Sequence, residues 1–312
     1  MEELAGGIRR VTMPLPTRPG HVHCYALPGD DGWVLVDTGL GLADARERWA
    51  AELAQLSGPV AAVVVTHFHP DHVGAAADLA DLTGAPVYQG EIDFFQCRLV
   101  WGADDWPERL AVWFGRQGVP AGVTDELIQQ GTTYRPFIRY YDEPTLVGPG
   151  DVVQGWRFVA APGHADGQLC LLRNGVLVAA DHVLDPISPT VGLWPASRPD
   201  PLGDYLGALD QTIRLAPTVA LPGHGEPVED PVGRARALIA HHAVRLAETE
   251  RLLDEKPASG YALSIPLFGD DLKPAARRFA VAETLSHLER LVLEGRAGRR
   301  EDSGGVSYTA AQ

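Results

Sequence analysis

The sequence predicts a mixed α/β fold whose chemistry lies at the ends of β-strands. Apolar runs of strand length alternate with segments of helical periodicity, and polar residues follow several of these runs directly. The runs that predict buried strands are Gly32–Asp37, Val60–Thr66, Val152–Ala161, Leu169–Leu172, Val176–Ala180 and Thr218–Leu221. Helical periodicity is found at about Asp71–Leu82 and Tyr205–Leu215. Rigid strands aim the loops that follow them, so we expect a site at their ends.

The C-terminal part of the chain predicts a smaller second module. After Pro231 a long helix is expected to about Glu255, then a short helix near Tyr261–Phe268 and another over Ala275–Glu294. A Gly-rich turn precedes Val306-Ser307-Tyr308, which indicates a terminal hairpin. Three helices and a hairpin are typical of a winged-helix-like module. We therefore predict a catalytic domain over residues 1–225 and a C-terminal domain over 226–312 that begins with the long helix.

Residues 93–145 form a helical insert that is rich in aromatic side chains. They hold ten of the 23 aromatic residues of the chain. Such a segment must bury a large apolar face. Packing on the core is one role, and a substrate lid or a homodimer contact is the alternative.

The charge of the chain argues against a nucleic-acid substrate. The formal net charge is −15, and residues 1–225 carry 14 Arg and no Lys against 27 acidic residues. An acidic body repels phosphate backbones. The exception is a local basic patch from Lys273 to Arg300, which contains Arg277 and Arg278.

Composition favours a cytoplasmic protein without a membrane segment. Nowhere do about 18 apolar residues run uninterrupted, and the charged first ten residues lack the apolar run of a signal peptide. The isolated cysteines Cys24, Cys97 and Cys170 fit a reducing compartment and are expected as small buried side chains.

The segment Thr66-His67-Phe68-His69-Pro70-Asp71-His72 carries the main chemical signal. It leaves a predicted strand and enters a predicted helix, and it places four potential ligands within six positions. Imidazole and carboxylate groups bind zinc, iron or manganese without any thiolate. The segment therefore predicts a metal site.

Three further residues occur in the same context of an apolar strand and small neighbours. They are His164 in Ala161-Pro162-Gly163-His164, Asp181 after Val178-Ala179-Ala180, and His224 in Leu221-Pro222-Gly223-His224. Small flanking residues let the backbone approach an ion. Together with the first segment, these residues predict one composite site.

These motifs resemble those of the metallo-β-lactamase superfamily. The resemblance covers about residues 8–225 and includes Asp37 of the Val-Asp-Thr-Gly stretch. It implies an αββα sandwich with the site at one edge. It also implies the following roles: His67, His69 and His164 hold one metal, Asp71, His72 and His224 hold the other, Asp181 bridges them, and Asp37 orients a ligand histidine.

Departures from the family pattern narrow the branch. The best-known secreted β-lactamases keep a Cys where this chain has Asp181 and lack the Asp71-His72 pair. The pattern is more similar to the glyoxalase II, lactonase and ribonuclease branches. The stretch from Ile187 to Trp194, together with the C-terminal module, most resembles the β-lactamase-like protein 2 group, some members of which are reported endoribonucleases.

The resemblance implies a dinuclear-metal-dependent hydrolase with two divalent ions per chain, zinc first and manganese or iron as alternatives. Metal-bound hydroxide would attack an ester, lactone or thioester, and Asp71 would orient it and then protonate the leaving group. His182 is a candidate substrate contact, and a packing role is its alternative. The expected partner is a small acyl-type molecule; we expect no membrane partner.

Three other functions stay open. An endoribonuclease or phosphodiesterase would act on RNA and would depend on salt and on Arg277 and Arg278. A persulfide dioxygenase would hold one iron. A DNA-binding regulator is the non-catalytic option.

The remaining histidines are not predicted ligands. His21 and His23 are expected as exposed residues of an early strand, with the site entrance as the alternative. His241, His242 and His287 are expected on helices.

Overall fold

A computed structural model describes residues 1–311. The chain divides into two compact units by its internal contacts. The first contains residues 1–102, 134–189 and 212–234, and the second contains residues 103–133, 190–211 and the segment that begins at Ala235. The predicted boundary between residues 225 and 226 is defined along the chain rather than by contacts, and it stays a prediction.

The first unit contains a sheet of seven strands in the order β1-β2-β3-β4-β5-β6-β7. Its first four strands are antiparallel neighbours, whereas β4 to β7 run parallel. The strands are β1 Glu2–Glu3, β2 Arg9–Pro14, β3 His21–Pro28, β4 Trp33–Val36, β5 Val60–Val65, β6 Val87–Gly90 and β7 Thr145–Val147. Parallel neighbours bring the C-terminal ends of β4, β5 and β6 to one edge.

A second sheet of five strands belongs to the same unit. Its order is β12-β11-β10-β9-β8, with β11 and β12 parallel and the other pairs antiparallel. The strands are β8 Val152–Val153, β9 Trp156–Ala160, β10 Leu169–Arg173, β11 Val176–Ala180 and β12 Val219–Pro222. The two sheets share one core, in which Tyr25 and Val64 of the first pack with Phe158 and Leu171 of the second.

The helices alternate with these strands and continue into the second unit. Their bounds are α1 Ala45–Leu53, α2 Pro70–Val73, α3 Ala76–Thr83, α4 Glu91–Cys97, α5 Trp106–Arg116, α6 Ala121–Thr132, α7 Pro201–Leu215, α8 Pro231–Arg251, α9 Gly260–Phe268 and α10 Pro274–Leu293. In the first unit, Trp49 of α1 and Leu79 of α3 pack on Val63 and Val65 of β5 and cover the outer face of the seven-stranded sheet. The predicted mixed α/β fold is confirmed.

The second unit has its own core. Leu263 of α9, Val281 and Leu285 of α10, and Tyr308 form its centre. The last strands, β13 Ala297–Asp302 and β14 Gly305–Ala310, pair as the predicted hairpin. The description of this module as winged-helix-like stays a prediction.

Two predicted elements are wrong in one respect each. The run Val152–Ala161 is a hairpin, because Gln154 and Gly155 both have positive φ and form the two-residue turn between β8 and β9. The helix predicted over Asp71–Leu82 is two helices, because the chain leaves helical geometry at Ala75.

The aromatic insert has no single environment. Its residues 103–133 lie in the second unit, where Trp106 and Phe114 are buried, while Phe95 in the first unit is 68% exposed. Packing on a core is therefore the role of the buried members. Cys24, Cys97 and Cys170 are all buried, as predicted. Among residues 1–311, no helix has both the length and the apolar character that a membrane crossing requires.

A buried pair of histidines lies in the second unit. Nδ1 of His242 is 3.2 Å from Nε2 of His287, and Nδ1 of His287 donates to the carbonyl of Glu283 at 2.8 Å. Burial, then the neighbouring histidines and Arg245, lower the pKa of His242 to about 3. Burial also lowers the pKa of His287 to about 4. The pair is therefore neutral at pH 7.

Candidate metal centre

The segment 67–72 joins the end of β5 to α2. The last residues of β5 are buried, which holds the backbone in place where the segment begins. His67 and His72 are both fully buried. Pro70 begins α2, a position that suits proline because the first helical N–H has no partner within the helix. The following Gly74 is needed for close packing, since a Cβ there would lie 2.8 Å from the carbonyl oxygen of Gly39. The turn thus presents its ligands from a rigid support.

The three distant candidates meet this segment. Asp181 follows β11 directly, and His224 comes two residues after the parallel neighbour β12, so both lie at the same sheet edge. His164 lies in the loop between β9 and β10. The side chains form three overlapping groups whose ligand atoms lie within 4.8 Å of one another: His67, His69 and His164; His67, His72 and Asp181; and Asp71, His72 and His224.

Asp181 lies between the two predicted ligand sets. Its Oδ2 is 3.5 Å from Nε2 of His164 and 3.4 Å from Nε2 of His224. Its Oδ1 is 3.4 Å from Nε2 of His72. On the other side, Nε2 of His224 is 3.3 Å from Oδ2 of Asp71. Asp181 is thus close to members of both sets, as the role implied by the resemblance requires.

Hydrogen bonds donated by Nδ1 orient three of the imidazole rings. His72 Nδ1 donates to Oδ2 of Asp37 at 2.8 Å, and His224 Nδ1 donates to the carbonyl of His21 at 2.8 Å. Thr66 gives its hydroxyl hydrogen to Asp37, so its oxygen accepts from His67 Nδ1 at 3.0 Å. With Nδ1 as the donor, Nε2 is the ring nitrogen that can coordinate an ion. The placement of Asp37 fits the role that the resemblance implies.

The donor set fits divalent cations. Within residues 1–311, the buried atoms His67 Nε2, His72 Nε2 and Asp181 Oδ1 make no hydrogen bond. Buried polar atoms without partners cost free energy, and a cation at their focus would satisfy them. Imidazole nitrogen and carboxylate oxygen suit zinc, manganese and iron.

Electrostatics divides the histidines into two kinds. Burial, then His72 and His69, holds the pKa of His67 well below its usual value. Burial opposes a charge on His224 as well, but Asp181 and Asp71 outweigh it and raise its pKa to about 10. A cation bound at His224 must therefore displace a proton.

Gly223 is required by the close approach of the chain to the ligands. A Cβ at this position would lie 2.5 Å from Asp181 Oδ1 and 2.8 Å from His72 Cε1. Its backbone is fixed, because its N–H donates to the carbonyl of Ala180 at 2.8 Å and its carbonyl accepts from His23 N–H at 2.7 Å. The structure thus gives a specific reason for the small residue before His224.

Other polar residues near the site differ from expectation. His23 is buried rather than exposed, with Nδ1 3.1 Å from the Thr12 hydroxyl, and His21 supports His224. Sequence reasoning did not identify Asp93, which is buried and accepts from Phe68 N–H. Its position just after β6 repeats the pattern of a polar residue following a strand.

His182 lies in the interior of the first unit. Only 2% of its surface is exposed, and its Nε2 is 2.8 Å from the Thr212 hydroxyl. It therefore presents almost no surface to a substrate, and a packing role is the better interpretation.

The basic patch is less available to RNA than the sequence suggests. Arg277 is buried and donates to Ser264 and to the carbonyl of Gly269. The guanidinium of Arg278 stacks over the rings of Trp194 and Phe279, at 5.1 and 4.5 Å from their centroids. With 5% of its surface exposed, Arg277 offers little contact to a phosphate.

Comparison with known proteins decides the family. The model of the metallo-beta-lactamase superfamily matches residues 17–224, which is two thirds of the chain. The chain belongs to the metallo-beta-lactamase superfamily. A second model, the metallo-beta-lactamase-like C-terminal domain, matches residues 246–311. The protein is accordingly a metal-dependent hydrolase of this superfamily with a family-typical C-terminal domain.

Individual relatives agree over most of the chain. A probable metallo-hydrolase of Bacillus subtilis (strain 168), YqjP, is 27% identical over 307 residues, which covers 91% of this chain and 92% of the relative. A crystal structure of a metallo-beta-lactamase family protein from Thermus thermophilus has 34% identity and a TM-score of 0.83, and covers 97% and 98% of the two chains. The beta-lactamase-like protein 2 homolog of Drosophila melanogaster is 24% identical over 238 residues, covering 75% of this chain and 68% of the relative.

Proposed function

We propose that this superfamily member is a dinuclear-metal-dependent hydrolase that cleaves an ester, lactone or thioester. The observation that carries the dinuclear part is the position of Asp181, whose oxygens lie 3.4–3.5 Å from ligand atoms of both predicted sets. We assign His67, His69 and His164 to one ion, Asp71, His72 and His224 to the other, and Asp181 to both. Zinc is the expected metal, with manganese or iron as alternatives.

When bound, divalent ions would polarise a substrate oxygen and lower the pKa of a water molecule toward neutrality. The residues of the chain supply the rest. Asp37, Thr66 and the carbonyl of His21 hold the ligand rings in place. Asp71 is the more exposed of the two site carboxylates, at 18% against 8% for Asp181. We assign to its Oδ atoms the orientation of the attacking water and the transfer of a proton to the leaving group.

An acyl substrate fits the charge of the chain better than a polyanion does. Residues 1–225 carry a net charge of −13, from 14 Arg and 27 acidic residues. The burial of Arg277 removes part of the support for RNA binding. Similarity to the Drosophila beta-lactamase-like protein 2 homolog is consistent with placing the chain in the β-lactamase-like protein 2 group. We propose that branch and a cytoplasmic location together.

A substrate panel tests the reaction. Zinc-, manganese- and iron-loaded protein is assayed on lactones, thioesters, phosphodiesters and single-stranded RNA at two salt concentrations. We expect turnover of an acyl substrate that barely changes with salt, because no phosphate contacts are made. Turnover of RNA alone, falling steeply with salt, would replace the acyl proposal with the endoribonuclease alternative. One iron per purified chain would replace it with the dioxygenase.

The role of Asp71 needs its own comparison. The Asp71→Ala variant is assayed with its metal content measured in the same sample. At full metal occupancy, we expect kcat to fall by about 100-fold or more, because general acid–base catalysis contributes that much. Full turnover by the fully loaded variant would remove the proton-transfer role.

A further inference from the structure

The peptide groups of Phe68 are held from both sides. This residue lies between two predicted ligands, His67 and His69. Its N–H donates to Oδ1 of Asp93 at 2.9 Å, and its carbonyl accepts from the indole N–H of Trp101 at 2.7 Å. A rotation of the backbone here would move both histidines, and these two bonds oppose it.

Asp93 is itself fixed by its surroundings. It is fully buried in the first turn of α4, and its second oxygen, Oδ2, accepts from Nε2 of Gln89 at 2.7 Å. Gln89 is also buried and belongs to β6, the strand that precedes α4. Both carboxylate oxygens therefore have a defined partner, one in the sheet and one in the ligand loop.

The same helix contacts the loop that carries the third ligand. Gly167 follows His164 by three residues, and a Cβ there would lie only 2.2 Å from the backbone nitrogen of Asp93. Nε2 of Gln96 in α4 donates to Oδ2 of Asp166 at 2.7 Å. Thus α4 touches the loops that supply all three members of one ligand set.

We propose that Asp93, assisted by Trp101, is a positioning residue for the ion held by His67, His69 and His164. The proposal rests on the ligand assignment made under the proposed function. Asp37, by contrast, serves both sets, because it binds Nδ1 of His72 and, through the Thr66 hydroxyl, supports Nδ1 of His67. Asp93 and Trp101 bind the peptide groups between His67 and His69, so we expect their loss to act on the first ion.

The expected size of the effect follows from the precision that coordination needs. Metal–ligand distances tolerate only about 0.2 Å of error. Outer residues that orient ligands typically change metal affinity by about 10–100-fold when they are lost. We expect a change in that range for the first ion when Asp93 loses its carboxylate.

Metal titration of the intact apo protein tests the proposal. Zinc is added in competition with a chromophoric chelator, which gives the affinity of each ion, and the thermal midpoint of each apo protein reports on folding. Asp93→Ala should weaken one ion by about 10–100-fold. Asp93→Asn should restore most of the affinity, because its amide oxygen can still accept from the Phe68 N–H and the Gln89 amide can turn to match.

Two tryptophan variants give a matched comparison. Trp101→Phe should weaken the same ion while keeping most of the ring packing. Trp33→Phe removes an indole bond of the same kind, from Nε1 to the carbonyl of Ser57 at 2.9 Å, away from the ligand loops. It should leave both affinities unchanged, and it shows what loss of such a bond does to folding alone.

The outcomes separate this proposal from the proposed function. His224→Ala removes a ligand of the other set and should weaken the other ion, which identifies the two affinities. If Asp93→Ala and Trp101→Phe bind both ions as tightly as the wild type, the positioning role is wrong although the hydrolase proposal stands. If Asp93→Ala does not fold, Trp101→Phe decides. Wild-type protein that binds fewer than two ions would instead contradict the proposed function.

Discussion

Replacing Gly223 by alanine should disrupt both ligand sets at once. The added Cβ would lie 2.5 Å from Asp181 Oδ1 and 2.8 Å from His72 Cε1, whereas ordinary contact begins at 3.4 Å. The shortfall is thus about 0.9 and 0.6 Å, several times the tolerance of about 0.2 Å for metal–ligand distances. The backbone cannot move away freely, because two hydrogen bonds hold it and His224 would move with it.

We expect the Gly223→Ala variant to bind zinc at least about 100-fold more weakly than the wild type, the upper end of the range for residues that orient ligands. The assay is zinc titration of the apo protein against a chromophoric chelator. Gly207→Ala is the matched control: Gly207 lies in α7, and a Cβ there would meet no atom outside its own helix within 4 Å, so alanine should leave zinc binding unchanged. Wild-type zinc affinity and stoichiometry in Gly223→Ala would refute the reasoning.

The second unit and the proposed metal ions give three further tests. His242→Asn should flatten the loss of unfolding free energy between pH 6.5 and 5. Folding lowers the pKa of His242 to about 3 and that of His287 to about 4. Below pH 6.5 the unfolded chain therefore binds more protons than the folded chain, and stability falls as the pH is lowered. The slope is at most about 1.4 kcal/mol per pH unit for each histidine. Burial raises the pKa of Glu283 to about 7, which has the opposite effect on stability. Because Glu283 is present in both proteins, its contribution cancels in the comparison. An unfolding free energy that changes with pH as steeply in His242→Asn as in the wild type would contradict this role of the histidine pair. Arg277→Ala should lower the unfolding free energy by about 3 kcal/mol in urea, since the buried carbonyl of Ser264 loses a charged donor; a change under about 0.5 kcal/mol contradicts this. Removing the metal with a chelator should lower the thermal midpoint of unfolding, because a free metal concentration of about a hundred times Kd stabilises the folded state by about 2.7 kcal/mol. A thermal midpoint that does not change when the chelator is added would mean that no ion was bound.

Local sequence patterns were sufficient to locate the candidate ligands. Asp181 directly follows one apolar strand and His224 comes two residues after another, and the parallel pairing of β11 and β12 brings them together. The segment from His67 to His72 places four imidazole or carboxylate side chains within six positions, a pattern that few structures other than metal sites require. These features lie at strand ends, and a strand end can be recognised from a few consecutive residues of the sequence.

Features that depend on tertiary contact were not predictable in the same way. Burial of His23, His182 and Arg277 comes from distant elements, so their polar character alone suggested exposure or substrate contact. The turn at Gln154 and Gly155 was missed because both flanking strands are apolar and the pattern looked continuous. Strands β1 and β2 include charged residues, which hid them among polar sequence, whereas β3 was expected as the early strand that carries His21 and His23.

Asp93 shows where the boundary lies. Its place after β6 matches the pattern of the ligands, yet only the structure reveals that it holds the Phe68 N–H instead of facing an ion. The sequence indicated a functional position, while the direction of the side chain depended on the packing of α4.

The most direct test of the central claim is anomalous diffraction at the zinc edge from a zinc-loaded crystal. We expect two peaks about 3.5–4 Å apart. One should lie among His67, His69 and His164, the other among Asp71, His72 and His224, with Asp181 between them. A single peak, or peaks outside these two sets, would contradict the dinuclear site.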